Sequence, residues 1–176
     1  LINIATNVGK IFEEDFRKSI PDDVFYYRIP DPPQSFGGGQ DNLRFSRKNP
    51  CDSFLFSPTS RTFYALELKS VDGTKPVTFE VDEKTKKTIH YHQIKALQEF
   101  NTYDGIVAGL VINFRNTEHT YFIEICDFTD MINEIGKKSF NEKDLLKYNP
   151  TIINQNKKRT RYFYDVENFL RDTALN

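Results

Sequence analysis

Apolar positions in this chain switch several times between helical and strand spacing. Val8, Ile11, Phe12 and Phe16 recur at the interval of an amphipathic helix, which predicts a helix from about Ala5 to Ser19 that ends before Pro21. Phe54 to Phe56 and Thr62 to Leu68 are aromatic and aliphatic runs on either side of Ser57-Pro58-Thr59-Ser60-Arg61, a β-hairpin signature. Val77 to Val81 and Lys87 to Tyr91 bracket the charged turn Asp82 to Lys86, which predicts a second hairpin or a mobile flap. His92 to Phe100 places Ile94, Leu97 and Phe100 on one face of a helix that stops near Asp104-Gly105. Ile106 to Phe114 and Thr120 to Cys126 read as apolar strands joined by Arg115 to His119, and short helices follow around Phe128 to Ile135, Glu142 to Lys147 and Val166 to Thr173. Between the first helix and the hairpin, Asp31 to Asn49 holds Pro32-Pro33 and Gly37-Gly38-Gly39 without a sustained period, so residues 28–48 read as a projecting excursion. Strands grouped between helices predict an α/β fold, with a mixed central sheet flanked by helices in a single domain covering 1–176.

Composition narrows the class of partner. With 38% hydrophobic residues, 16 Phe and 9 Tyr, the chain has the makings of a packed core, and no run approaches a membrane span. The start, Leu1-Ile2-Asn3-Ile4, lacks a secretory pattern, so a cytoplasmic protein is expected. Cys51 and Cys126, widely separated, suggest packed thiols and neither a disulfide framework nor a zinc site. A net charge of −1 leaves any nucleic-acid contact to local patches. Two qualify: Arg44, Arg47 and Lys48, and Lys157, Lys158, Arg159 and Arg161 followed by Tyr162, Phe163 and Tyr164.

The first hairpin carries the candidate chemistry. A turn symmetric about Thr59-Ser60 pairs Pro58 with Arg61, and counting outward sets Asp52 opposite Glu67. Directly opposed carboxylates sit about 5 Å apart at Cβ and repel, so a cation must offset them. Alternation puts Lys69 on the face of Glu67 and sends Leu66 and Leu68 into the core. Two converging carboxylates beside an ammonium suit Mg²⁺, with Mn²⁺ as a substitute, in phosphodiester hydrolysis. The three groups are expected to face solvent. His90 and His92 lack a third partner at metal-ligand spacing, and read better as hydrogen-bonding groups at a helix start, with Gln93 reaching into the site.

Four segments in order resemble one family: Asn7-Val8-Gly9-Lys10-Ile11-Phe12-Glu13, Asp52-Ser53-Phe54, Glu67-Leu68-Lys69-Ser70 and Ile89-His90-Tyr91-His92-Gln93. They resemble the RecU-type Holliday junction resolvases of Gram-positive bacteria and their phages, within the PD-(D/E)XK nuclease superfamily. Val8 stands where that family has Arg, and the insertion from Asp72 to Thr88 is longer. The resemblance implies a nuclease-type α/β fold and a homodimer that cuts four-way DNA junctions with Mg²⁺. Its implied catalytic residues are Asp52, Glu67, Lys69, Glu13 and Gln93, and its implied metal positions are Asp52, Glu67 and Leu68. The excursion corresponds to a junction-contacting stalk, and the DNA-contacting set is then Lys10, Arg44, Arg47, Lys48, Lys157, Lys158, Arg159 and Arg161. Two other readings are a restriction-type or other nuclease of the same superfamily and a catalytically vestigial recombination protein.

Overall fold

The computed structural model describes residues 7–31, 48–83 and 86–175. The elements in chain order are α1 (Val8–Lys18), β1 (Phe25–Arg28), β2 (Ser53–Ser57), β3 (Thr62–Val71), β4 (Val77–Thr78), α2 (Tyr91–Phe100), β5 (Ile106–Phe114), β6 (His119–Glu124), α3 (Ile125–Glu134), β7 (Ser139–Phe140), α4 (Glu142–Leu145), β8 (Thr151–Ile152), β9 (Gln155–Lys158), β10 (Arg161–Tyr164) and α5 (Val166–Asp172). Six strands form one sheet in the order β1-β2-β3-β5-β6-β8. Only β3 and β5 run parallel within it. A parallel pair needs a long crossover, and α2 lies within that connection.

Helices cover both faces, which is the α/β architecture the periodicity predicts. On one face Ala65, Ala108 and Ile112 pack with Ile94 and Leu97 of α2 and Phe128 of α3. On the other, Leu66, Leu68 and Val111 pack with Phe12 and Phe16 of α1 and with Phe169 of α5. β5 is buried on both faces from Val107 onward, and so reads as a continuous apolar run. Gly109 within it is sterically required, since a Cβ there would lie 2.3 Å from the Ile123 carbonyl oxygen.

Two expectations need correction. Val77 to Val81 and Lys87 to Tyr91 do not form an antiparallel hairpin. β4 instead pairs with β7, and the two segments meet in a single parallel bridge at Phe79 and Ile89. Cys126 is exposed and not a packed thiol, whereas Cys51 is buried as expected. Of the excursion, Arg28 belongs to β1, and its two legs are tied where Asn49 Nδ2 donates to the Pro30 carbonyl at 2.8 Å. Residues 32–47, with Arg44 and Arg47, lie outside the described residues.

The β9–β10 ribbon was not foreseen from the sequence. It docks on α1 through one buried acid, Asp15, which accepts from Arg161 Nε at 2.5 Å and from the Tyr162 N–H at 3.0 Å. Ser19 adds a bond from the Tyr164 N–H to its Oγ at 2.9 Å, and the Tyr164 ring packs on Phe12 and Phe16. Asp15→Asn keeps the shape but removes the charge that orders Arg161. It should lower unfolding free energy by about 1–3 kcal/mol in urea titrations. An unchanged midpoint would show that aromatic packing alone holds the ribbon.

Candidate active site

The hairpin register decides where the carboxylates go. β2 and β3 pair Ser57 with Thr62 and Ser53 with Leu66, so the next step outward sets Asp52 opposite Glu67, as the symmetric turn predicts. The Asp52 N–H donates to the Leu66 carbonyl at 3.1 Å, and its own carbonyl accepts from Ile29 at 2.9 Å. Its side chain turns onto β3, where Oδ2 accepts the Leu68 N–H at 2.8 Å. Asp52 is therefore fixed from three sides. Leu68, expected as a metal position, contributes its N–H to Asp52.

Glu67 alternates with Leu66 and Leu68 and so points to the α2 face. There Lys69 Nζ lies 2.7 Å from Glu67 Oε1, and Gln93 Nε2 donates to the same oxygen at 2.5 Å. Glu67 is 0% exposed, which corrects the expectation that the acidic groups face solvent: Lys69, Asp52 and the first turn of α2 close over it. Its second oxygen, Oε2, is buried with no donor opposite it. Asp52 stands opposite Glu67 in the register, and two neighbouring carboxylates repel unless one of them holds a proton. Burial, with the Asp52 charge adding to it against the pull of Lys69, pushes the Glu67 carboxyl up to about 8.

An orphaned buried carboxylate oxygen beside a second carboxylate fits a hard divalent cation. Mg²⁺ is commonly held by one or two carboxylates and completes its shell with waters and phosphate oxygens. Among the described residues no three His, Cys, Asp or Glu side chains converge, so the donor set is a carboxylate pair and not a closed cage.

Glu13 approaches from α1. Its Oε2 accepts from Arg28 Nε at 3.2 Å, and burial, then the Asp52 charge, raise its carboxyl. Arg28 also meets Asp31 at 3.2 Å, so it links α1 to the base of the excursion. His90 is the N-cap residue of α2, with its ring stacked on His92 at 5.5 Å, which agrees with a place at the helix start. Burial, followed by the Lys48 charge, lowers the His92 imidazole, and Lys48 itself is exposed. Burial and the Glu67 charge hold the Cys51 thiol up at about 12, which removes it as a nucleophile.

The basic residues divide into two kinds. Lys157 pairs with Glu118 at 2.9 Å and Arg161 with buried Asp15, so both help to dock the ribbon. Lys158 lies over the Phe163 ring at 4.9 Å, and Arg159 forms the ribbon's turn at φ 58°. Lys10 is exposed on α1. Of the three ring residues that follow, Tyr164 is buried and Phe163 exposed. Sequence reasoning missed Arg28 and the buried acids Asp15 and Glu80: Asp15 closes the acidic run Glu13-Glu14-Asp15 on a polar-looking helix, and Arg28 and Glu80 carry no spacing signal of their own.

The sequence profile of RecU, recombination protein U, matches residues 70–168, more than half of the chain. The chain belongs to the RecU family. The matched span opens at Ser70 and includes Glu80 and Gln93, so the carboxylate pair rests on the geometry above. This RecU-family chain is also 35% identical over 136 residues to the SPbeta prophage-derived uncharacterized protein YotM of Bacillus subtilis strain 168, covering 76% of itself and 64% of YotM. Among solved structures it resembles Hjc, a Holliday junction resolvase of Archaeoglobus fulgidus, at 15% identity and a TM-score of 0.43. That match covers 74% of this chain and 83% of Hjc.

The raised Glu67 carboxyl has a thermodynamic sign. In metal-free protein between about pH 4.5 and 8, the folded chain holds a proton that the unfolded chain has released, so this group's contribution to stability falls as pH rises. Glu67→Gln has no proton to lose. With EDTA present, the variant should gain stability relative to wild type on going from about pH 5 to about pH 8, read from urea midpoints. An equal difference at both pH values would contradict the burial account.

Proposed function

We propose that this RecU-family chain is a Mg²⁺-dependent endonuclease that cuts four-way DNA junctions, working as a homodimer with one site per subunit. The observation that carries the reading is the antiparallel register that sets Asp52 opposite buried Glu67 with the Lys69 ammonium 2.7 Å away. The RecU match and the likeness to a prophage protein support a role in phage-associated recombination.

Asp52 and Glu67 would hold the cation, with the orphaned Glu67 Oε2 as the oxygen that gains most from it. Bound Mg²⁺ supplies electrostatic stabilisation of a phosphoryl oxygen and lowers the pKa of water in its shell. Lys69 is held against Glu67 while no cation is present. With Glu67 engaged in holding a cation, Lys69 would be free to orient the attacking water and to stabilise charge on the scissile phosphate. Gln93 keeps Glu67 aimed at Asp52, and Glu13 with Arg28 borders the opposite side.

Recognition of a branch falls to the excursion. Arg28, paired with Glu13, and exposed Lys48 stand at its two ends, and Arg44 and Arg47, outside the described residues, add phosphate contacts in this reading. Lys158 and Arg159 at the ribbon's tip, and Lys10 on α1, supply further contacts along an arm. Lys157 and Arg161 enter only if their carboxylate partners let go.

The test is cleavage of a four-way junction against linear duplex and single strand, with Mg²⁺, Mn²⁺ or EDTA. Asp52→Asn, Glu67→Gln and Lys69→Met should each lower turnover by about 10²–10³-fold while junction binding in Ca²⁺ is retained. Deleting 35–42 should keep the dimer and remove the preference for junctions over duplex. Cleavage in EDTA, or wild-type turnover in Glu67→Gln, would sink the metal site. Equal cutting of duplex and junction by the intact chain would favour a restriction-type nuclease.

A further inference from the structure

The loop before α2 holds a buried acid that the chemistry above leaves unused. Glu80 is only 6% exposed, yet it is a charged group in an apolar stretch between Phe79 and Val81. It is fully engaged. Oε1 accepts from the Lys87 N–H at 3.0 Å and meets His90 Nδ1 at 2.9 Å, and Oε2 accepts from the Tyr91 N–H at 2.8 Å. The main chain reinforces this, with the Glu80 N–H donating to the Ile89 carbonyl at 2.9 Å and the Ile89 N–H to the Thr78 carbonyl at 3.1 Å. Burial alone would raise this carboxyl. The bonds from His90, Tyr91 and Lys87 outweigh burial and hold it down at about 2.

Every one of those side-chain bonds ends at or just before the first turn of α2. A carboxylate there meets N–H groups that have no partner within the helix and complements the positive end of the helix dipole. The third residue of the same turn is Gln93. Its Oε1 accepts the His90 N–H at 3.1 Å, and its Nε2 donates to Glu67 Oε1 at 2.5 Å. The two ends of a carboxamide are rigidly coupled. Wherever the His90 N–H sits, the direction of the Gln93 nitrogen follows, and with it the oxygen of Glu67 that is left facing Asp52.

We propose that Glu80 is a positioning residue for the carboxylate pair: by fixing His90 and Tyr91 at the start of α2, it orients Gln93 and, through Gln93, Glu67. The proposal rests on the nuclease reading for its consequence in catalysis, but its structural part stands apart from that reading. Its chemistry resembles that of outer partners of metal ligands, whose loss costs about 10–100-fold in metal affinity or activity. A carboxylate is needed because three donors converge on it. In Glu80→Gln, one oxygen becomes an NH₂ facing a backbone N–H or a ring nitrogen, and at least one of those bonds is lost.

The experiment compares the full chain as wild type, Glu80→Gln, Gln93→Ala and the double variant. Mn²⁺ affinity without DNA is read by calorimetry, cleavage by kcat and KM on a four-way junction, and the Gln93 side-chain amide by NMR in metal-free protein. Glu80→Gln is expected to weaken Mn²⁺ binding and lower kcat by about tenfold, with KM within about twofold. Its Gln93 amide signal should move to the position of a solvent-exposed amide. Added to Gln93→Ala, it should cost little more, since both act through one contact. Wild-type Mn²⁺ affinity in Glu80→Gln, an unmoved amide, or losses that multiply in the double variant would overturn the proposal. If Glu80→Gln does not fold, Glu80→Asp keeps the charge but cannot span all three donors. It should show a smaller loss in the same readouts, and wild-type values there would overturn the proposal equally. If wild type neither binds Mn²⁺ nor cuts DNA, the nuclease reading fails, while the amide signal still decides whether Glu80 sets Gln93.

Discussion

A buried carboxylate with one unsatisfied oxygen is the constraint around which this end of the molecule is arranged. Glu67 sits on the central strand pair, fully covered, across from Asp52. Removing such a group from water is costly, and placing it beside a second carboxylate adds repulsion. The ammonium of Lys69 and the amide of Gln93 offset part of this, and both bind the same oxygen. The other oxygen is left for a ligand that only a cation, or a proton, can supply. A chain selected for stability alone would place an apolar residue there, so the arrangement stores a local cost that binding relieves.

Neighbouring elements can be understood by what they do for that pair. The tight β2–β3 turn sets the register, and α2 brings Gln93 over the sheet at its first turn. The acids Glu80 and Asp15 do similar work at two helices. Glu80 pins the start of α2, and Asp15 pins the β9–β10 ribbon to α1. In each case a carboxylate out of water collects several donors, which is the condition under which burying charge is tolerated.

The hairpin was legible in the sequence because two apolar runs flank a short turn, Pro58 to Arg61 between the strands, whose centre can be located. Once the centre is known, register is arithmetic, and the pairing of Asp52 with Glu67 follows. The burial of Glu67 was not legible. Alternation tells which face a residue takes but not whether a helix covers that face, and α2 arrives from 24 residues further along the chain, at Tyr91. The β9–β10 ribbon was hidden for another reason: its charged strand, Gln155–Lys158, has no apolar period, and it is held by Asp15 from the other end of the sequence. The same distance explains why Lys157 and Arg161 looked like free basic groups when carboxylates remote in sequence occupy them.

The most direct measurement is the location of a bound cation. Crystals of the full chain soaked in Mn²⁺ can be measured near the manganese absorption edge. One anomalous peak is expected between Asp52 and Glu67, within reach of a carboxylate oxygen of each, with Lys69 withdrawn from Glu67. A peak elsewhere, or an unchanged Lys69–Glu67 pair at saturating Mn²⁺, would contradict it.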